Sequence, residues 1–542
     1  MLGGRRTANK AGGRGAISIE LEDDGSYSEI GGDGDRVKLA PAKITLNDCL
    51  ACSGCITSAE SVLITQQSVD ELLSVLQHPS APAQGAPTRR VQLVVSVAPQ
   101  CWASVAAHFG ISGGEALGII SGLFRGLGAV AVLDLSLAKD LSVIETCAHA
   151  EMVYRAQQSA GGSEDKGRKT NTIMASSCPG WICYAEKREH KALPMISPVK
   201  SPQQIAGTLV KGMWAQQRGV AAKDIYHVCV MPCFDKKLEA SRPEFRVPGD
   251  KGEGPEEGDS SREVDLVLSA SELLELASKV LPGLEQLLHI PRGAIETLWG
   301  ESRDPQTLAA QPEWGTAGTS GGFAQYVFQH LARSVHNRQV DVQEAGVGLG
   351  APAAAVEGTA AVEGGVGNED VEMGDGSDEG AARRAEVCVW KQGRNSDMHE
   401  LVLEAQGQGG AQDAKRPLLR VARCYGFRNI QNITRQLKSP KGCPYDFVEV
   451  MACPSGCING GGQIRAEDGG EAPKARLARV MQIFRDGQTI REPSLMKDGQ
   501  ARAIYASVIK GAPNSQAAAA LLHTSYKAAE DPTRSNPIGI QW

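Results

Sequence analysis

The sequence predicts an α/β fold with mainly parallel, buried sheets. Three observations predict it: short apolar runs recur along the chain, helix-like segments separate them, and cysteines gather just where several runs end. Strands are expected at 91–97, 129–134, 172–175, 226–230, 265–268, 418–422 and 447–451, with helices at 114–125 and 142–158. "SASELLEL" from Ser269 adds a capping box, Ser269 with Glu272, which opens a helix directly after a strand. At 542 residues the chain has room for two or three domains. Three stretches, 79–90, 247–262 and 346–382, are rich in Gly, Ala, Pro and charge. They read as linkers or surface insertions, because they offer too little apolar surface to offset ordering entropy.

Composition removes several function classes. Net charge is −7 with both signs spread throughout, so no basic stripe marks a nucleic-acid binder. The longest apolar runs, "VQLVVSVA" and "GAVAVLDL", fall far short of the ~20 residues of a membrane helix. The opening "MLGGRRTANKAGGRG" is basic and glycine-rich with no apolar stretch behind it, which argues against a secretory signal. A reducing compartment, most simply the cytosol, is therefore expected, and there the fourteen cysteines read as ligands and core residues rather than disulfides.

Near the start, "NDCLACSGCITSAE" sets Cys49, Cys52 and Cys55 in C-x2-C-x2-C spacing, which lets three thiolates converge on one iron-sulfur cluster. The run is incomplete, since Ala59 and Glu60 stand where a bacterial ferredoxin has its next cysteine and proline. Zinc is the alternative metal, although structural zinc sites favour paired C-x2-C hooks. A second set is dispersed at the ends of expected strands: Cys178 in "SSCPGW", Cys233 in "MPCFDKKLE", and Cys453 with Cys457 in "EVMACPSGCINGGG". Taken singly, each reads equally well as a small buried hydrophobe. The flanking prolines and Gly460, Gly461 and Gly462 point to loops whose backbone comes close to something bulky. Lys236 and Lys237 are expected to offset thiolate charge. Cys101, Cys147, Cys183, Cys229, Cys388, Cys424 and Cys443 lack motif spacing and are expected in the core.

"SSCPGW", "MPCFDKKLE" and "EVMACPSGCINGGG" resemble the three signature motifs of the iron-only ([FeFe]) hydrogenase large subunit, and the tail 492–529 resembles the small-subunit segment. Within that superfamily "LNDCLACSGCITSAE" is similar to the Nar-type proteins, also called nuclear prelamin A recognition factor-like, whose members act in cytosolic iron-sulfur protein assembly. The resemblance implies a two-lobed hydrogenase-like body preceded by a small ferredoxin-like segment. The implied divisions are a basic leader at 1–43, disordered in part, a cluster segment at 44–78, a linker at 79–90, a large-subunit-like domain at 91–489 and a helical tail at 490–542. It also implies two [4Fe-4S] clusters. Cys178, Cys233, Cys453 and Cys457 would hold one inside the body. Cys49, Cys52 and Cys55 would hold the other, whose fourth ligand stays unassigned because no cysteine precedes Cys49.

The implied partners are cytosolic scaffold and targeting-complex proteins, with Ile540, Gln541 and Trp542 as a docking tag, and apoprotein recipients in the cytoplasm and nucleus. Departures from the enzyme pattern weigh against hydrogen turnover. Ser177 stands where a hydrogenase carries its proton-relay cysteine, and a hydroxyl is a poor shuttle near neutral pH. Gln463 replaces a motif-ending proline, and Thr146 replaces the second of two glutamates in a proton-feeding helix. The alternatives are an iron-only hydrogenase and a simple electron-transfer protein.

Overall fold

The structure, a computed structural model, describes residues 18–21, 27–30, 36–38, 58–77, 91–159, 172–247, 261–296, 302–303, 318–343, 385–393, 395–405, 417–466, 470–486 and 499–529. The chain divides into two units, Met1–Thr57 and Ser58–Trp542. In the first, strands β1 (Ser18–Leu21), β2 (Tyr27–Ile30) and β3 (Arg36–Lys38) form an antiparallel sheet in that order. They fall inside the stretch expected as leader, where strands only three or four residues long leave too short an apolar pattern to read. Cys49, Cys52 and Cys55 lie outside the described residues, as do 79–90, most of both long insertions, and Ile540, Gln541 and Trp542.

Two sheets build the second unit. One contains β4 (Gln92–Val97), β5 (Ala131–Asp134), β7 (Ile225–Met231), β8 (Leu266–Ser269), β9 (Ile295–Glu296) and β10 (Ser302–Arg303), in the order β10-β9-β5-β4-β7-β8. All neighbours are parallel except the β10 edge. The other contains β6 (Ile173–Ala175), β13 (Lys391–Gln392), β14 (Met398–Leu403), β15 (Leu419–Tyr425) and β16 (Phe447–Met451), in the order β13-β14-β15-β16-β6, with β15, β16 and β6 parallel. A further parallel pair joins β11 (Val340–Gln343) to β12 (Glu386–Val389).

Apolar runs without alternation become parallel strands because helices cover both faces of such sheets; every residue of β16 and of β8 is buried. Trp102, Trp181, Trp214 and Trp390 are fully buried. Among the described residues no single helix is long and apolar enough to cross a membrane.

All seven expected strands form, with ends shifted by up to three residues. The helix expected at 114–125 spans Gly113–Gly126, opened by a capping box between Ser112 and Glu115. The one expected at 142–158 begins earlier, at Ser136, and runs to Ser159. The Ser269 and Glu272 box caps Ala270–Val280 as expected. The ends of the 247–262 insertion belong to the body, because Val247 N donates to Ser261 O (3.0 Å) and Arg246 pairs with Arg262.

Candidate metal centre

The four dispersed cysteines follow the carboxyl ends of three parallel strands drawn from both sheets. Cys178 follows β6, Cys233 follows β7, and Cys453 and Cys457 follow β16. Ligand sites collect at such ends because the chain leaves the sheet there and the next helix presents free amides. Cys178 is extended and caps the helix Pro179–Arg188, with Pro179 at the first helical position, where no amide hydrogen is needed. Cys457 opens a single 3₁₀ turn, Cys457–Asn459. Between the last two thiols, Ser455 and Gly456 take φ of 60° and 80°, which folds "CPSGC" back on itself.

Glycines let the loops touch. A Cβ on Gly460 would lie 2.2 Å from Pro232 O, and one on Gly462 would lie 2.6 Å from Ser269 Cβ and 3.3 Å from Cys233 Cα. Gly462 N donates to Pro232 O (3.0 Å), and Ser271 N donates to Gly462 O (3.0 Å). The triple glycine is thus the seam that presses the Cys453–Cys457 loop onto the Cys233 loop. A Cβ on Gly180 would lie 2.7 Å from Asp235 Oδ2 and 3.6 Å from Ala452 Cβ, which brings the Cys178 helix against both.

The thiols sense one another. Burial pushes the Cys233 thiol well above its ordinary range, and Asp235, Cys453, Cys178 and Cys457 all push it the same way. Cys178 is pushed up to about 12 by burial, then by Cys457 and Asp235, against a partial pull from the amides of Ala452 and Trp181. Ala452 N points at Cys178 Sγ at 3.4 Å. Burial also raises Cys457, while the Ser320 hydroxyl and Lys236 work in the opposite direction. Met451 lies between motifs, its sulfur 3.9 Å from Cys457 Sγ and 4.0 Å from Ser177 Oγ.

The donor set fits an iron-sulfur cluster. Cys178, Cys233 and Cys457, whose thiols burial keeps from ionising readily, are of the kind that a bound metal deprotonates outright. Among the described residues no three His, Cys, Asp or Glu side chains are spaced for a single metal ion. One tetrahedral zinc would need its sulfurs about 4 Å apart, whereas a cluster takes one thiolate at each of several corners and so spreads them.

Two expectations change, and one holds. Lys236 does act on Cys457, although its Nζ is held by Glu239 at 2.8 Å. Lys237 does not serve the thiols: its Nζ donates to Gln67 O and Glu272, where it ties neighbouring helices together. Cys183 is partly exposed rather than core, whereas Cys101, Cys147, Cys229, Cys388, Cys424 and Cys443 are buried. Sequence reasoning also missed residues that support the centre. Asp235 stands inside a quoted motif, and Thr319 and Ser320 stand in "TSGG", whose paired glycines were the available signal.

A family model described as "Iron only hydrogenase large subunit, C-terminal domain" matches residues 91–359 and 353–461. An apo [FeFe]-hydrogenase variant from Chlamydomonas reinhardtii superposes with a TM-score of 0.59 at 22% identity, over 85% of this chain and 99% of that one. At that identity the likeness is one of fold, and it defines an iron-only hydrogenase-like body. "Cytosolic Fe-S cluster assembly factor narfl" of Xenopus tropicalis is 37% identical over 98% of this chain and 94% of its own length. "Cytosolic iron-sulfur assembly component 3" of Mus musculus has the same identity and the same two coverages. The chain belongs to the family these relatives form, the cytosolic iron-sulfur assembly factors of the iron-only hydrogenase superfamily.

Proposed function

We propose that the chain is a component of the cytosolic iron-sulfur protein assembly machinery, holding [4Fe-4S] clusters and helping to deliver them to cytosolic and nuclear apoproteins. The observation that supports this reading is that Cys178, Cys453 and Cys457, carried by loops of the other sheet, all act on the Cys233 thiol, in a chain whose relatives are named for assembly. When bound, the body cluster supplies redox-active iron held by thiolates. The chain's own residues position the thiols, exclude water and offer N–H and O–H groups to sulfur. A second cluster at Cys49, Cys52 and Cys55 completes the reading. Its partners are scaffold and targeting-complex proteins, with Ile540, Gln541 and Trp542 as one docking element.

Hydrogen turnover fits the site less well. Beside Ser177 lies a cavity of about 20 Å³ walled by Ser176, Ile182, Glu239, Arg242 and Tyr526. That volume suits a single water, which needs about 10–15 Å³. Glu145, which opens the "ETCAHAE" stretch, is committed to the tail: it accepts from Tyr505 OH, Asn514 N and His523 Nε2 (2.8 Å). Thr146 donates to Ser142 O (2.7 Å), so it adds no acid to the helix. Gln463 donates to Gln100 O (3.0 Å) and Ile458 O (3.3 Å), two bonds that a proline there could not make.

The test is iron and acid-labile sulfide analysis with Mössbauer spectroscopy of anaerobically purified protein. About four irons per chain would indicate the body cluster alone, and about eight would indicate both; none would end the reading. In cells, depletion is expected to lower the activity of cytosolic iron-sulfur enzymes. Substantial hydrogen evolution after treatment with hydrogenase maturases would favour the enzyme instead.

A further inference from the structure

We propose that Ser320 is a positioning residue for the body cluster: its hydroxyl takes the Cys457 amide and gives its own proton to the Cys457 sulfur, setting the reduction potential at that corner. This rests on the four-cysteine reading above. Cys457 N donates to Ser320 Oγ at 2.8 Å, so the hydroxyl oxygen is fixed next to the ligand. A Cβ on Gly456 would fall 2.4 Å from Ser320 Oγ and 2.5 Å from Thr319 Oγ1; both hydroxyls therefore press on the turn where only glycine leaves room.

The other hydroxyls around the thiols spend their protons elsewhere. Ser176 Oγ accepts from Cys178 N (3.1 Å) but donates to Val450 O. Thr319 Oγ1 donates to Ser455 O (2.6 Å), and Ser177 Oγ faces the Met451 sulfur. Among the described residues Ser320 Oγ accepts from Cys457 N and donates to no backbone carbonyl, which leaves the adjoining Cys457 sulfur as the acceptor we assign to its proton.

The segment is also held rigid. It leads into the helix Phe323–Ser334, whose Ala324 N donates to Glu449 Oε2 (3.0 Å), and Glu449 is itself fully buried on β16. Asp397 Oδ1 accepts from Ser455 N (2.8 Å) on the other side of the turn. A donor fixed in this way lowers the cost of adding negative charge to the cluster, because hydrogen bonds to ligand sulfur favour the more reduced state.

The experiment uses the full chain, reconstituted anaerobically, with S320A, S320T and T319V. S320A should keep its body-site iron, move the cluster midpoint to a more negative potential and lose iron to a ferrous chelator several-fold faster. S320T should restore both values. T319V, which touches the same turn but no sulfur, should leave the potential in place. An unchanged potential in S320A, or an equal shift in T319V, would overturn the assignment. Should S320A not fold, hyperfine spectroscopy of the unsubstituted reduced chain in H2O and D2O decides. An exchangeable hydroxyl proton coupled to the cluster is expected, and its absence overturns the proposal. If the unsubstituted chain holds no body cluster, the four-cysteine reading fails with it, and that result is distinct from a cluster insensitive to Ser320.

Discussion

Gly460 carries the tightest approach at the centre, with Pro232 O where its side chain would begin. A Gly460→Ala substitution must push the Cys453–Cys457 loop away from the Cys233 loop, at a cost of about 1–3 kcal/mol. The expected result is a lower melting temperature together with poor iron retention, measured by thermal denaturation and chelator release. Cys233→Ser should remove the body cluster altogether, since its thiol is the one that senses the other three. Iron content should then fall by about four per chain.

His227 gives a pH dependence of separate origin. It is fully buried, with Nε2 2.9 Å from Ser96 Oγ and Nδ1 3.0 Å from Glu263 O. Burial holds it down to about 4 from 6.5. Between those values the unfolded chain binds a proton that the folded chain refuses. Stability is therefore intact above about 6.5 and falls as pH drops toward 4, by up to about 3 kcal/mol. Urea titrations at stepped pH should show that slope, and it should flatten in a His227→Gln variant. Of these residues, the glycines and cysteines were visible in the sequence because their spacing is local. Ser320 and Asp397 were not, because they meet the turn only after more than fifty residues of intervening chain bring them there.

At the scale of elements, the C-terminal helices Gly499–Ile504 and Gln516–Leu522 are fastened to the body through one carboxylate. Glu145, on the Ser136–Ser159 helix, is completely buried and accepts from three tail residues. Beyond it, Thr524 N donates to Pro198 O (2.7 Å) and Ala529 N to Glu186 O (2.8 Å), so the chain runs as a strap past the Cys178 helix. Glu145→Ala leaves three donors without an acceptor and should cost about 3 kcal/mol. Limited proteolysis should then cut within 499–529 well before the sheets are attacked; equal protection in the variant and the parent would show the strap to be held elsewhere.

The strands were legible because each is a continuous apolar run. The Ser136–Ser159 helix was legible apart from its first six residues, because the side chain that opens it, Asp134 Oδ1 accepting from Ser136 N (2.6 Å), reads in the sequence as the end of the preceding strand. Helices such as Pro99–Phe109 escaped notice because all but two of their residues are buried, which removes the apolar stripe that periodicity detects.

Across the whole second unit, the two sheets contribute unequal shares to one centre: β7 supplies one thiol, and β6 with β16 supplies three. Binding that engages only the folded arrangement stabilises it by mass action. Stripping iron with a chelator should therefore lower the melting temperature by several degrees, and a variant lacking Cys453 should start from the lower value and respond little. Differential scanning calorimetry before and after chelation reads this directly. The overall class was legible from three motifs in order. The pairing of the two sheets was not, because nothing local in "SSCPGW" states which strand will lie beside β6; that is settled by β16, which arrives near the end of the chain.

That late arrival has a consequence for biosynthesis. Cys178 and Cys233 emerge from the ribosome long before the strand that brings Cys453 and Cys457, and Ala452 reaches the Cys178 sulfur across 274 positions. On the proposed four-cysteine reading, metal insertion waits until β16 and the loop after it have been made, and a polypeptide cut short before them would display exposed thiols with nowhere to seat iron.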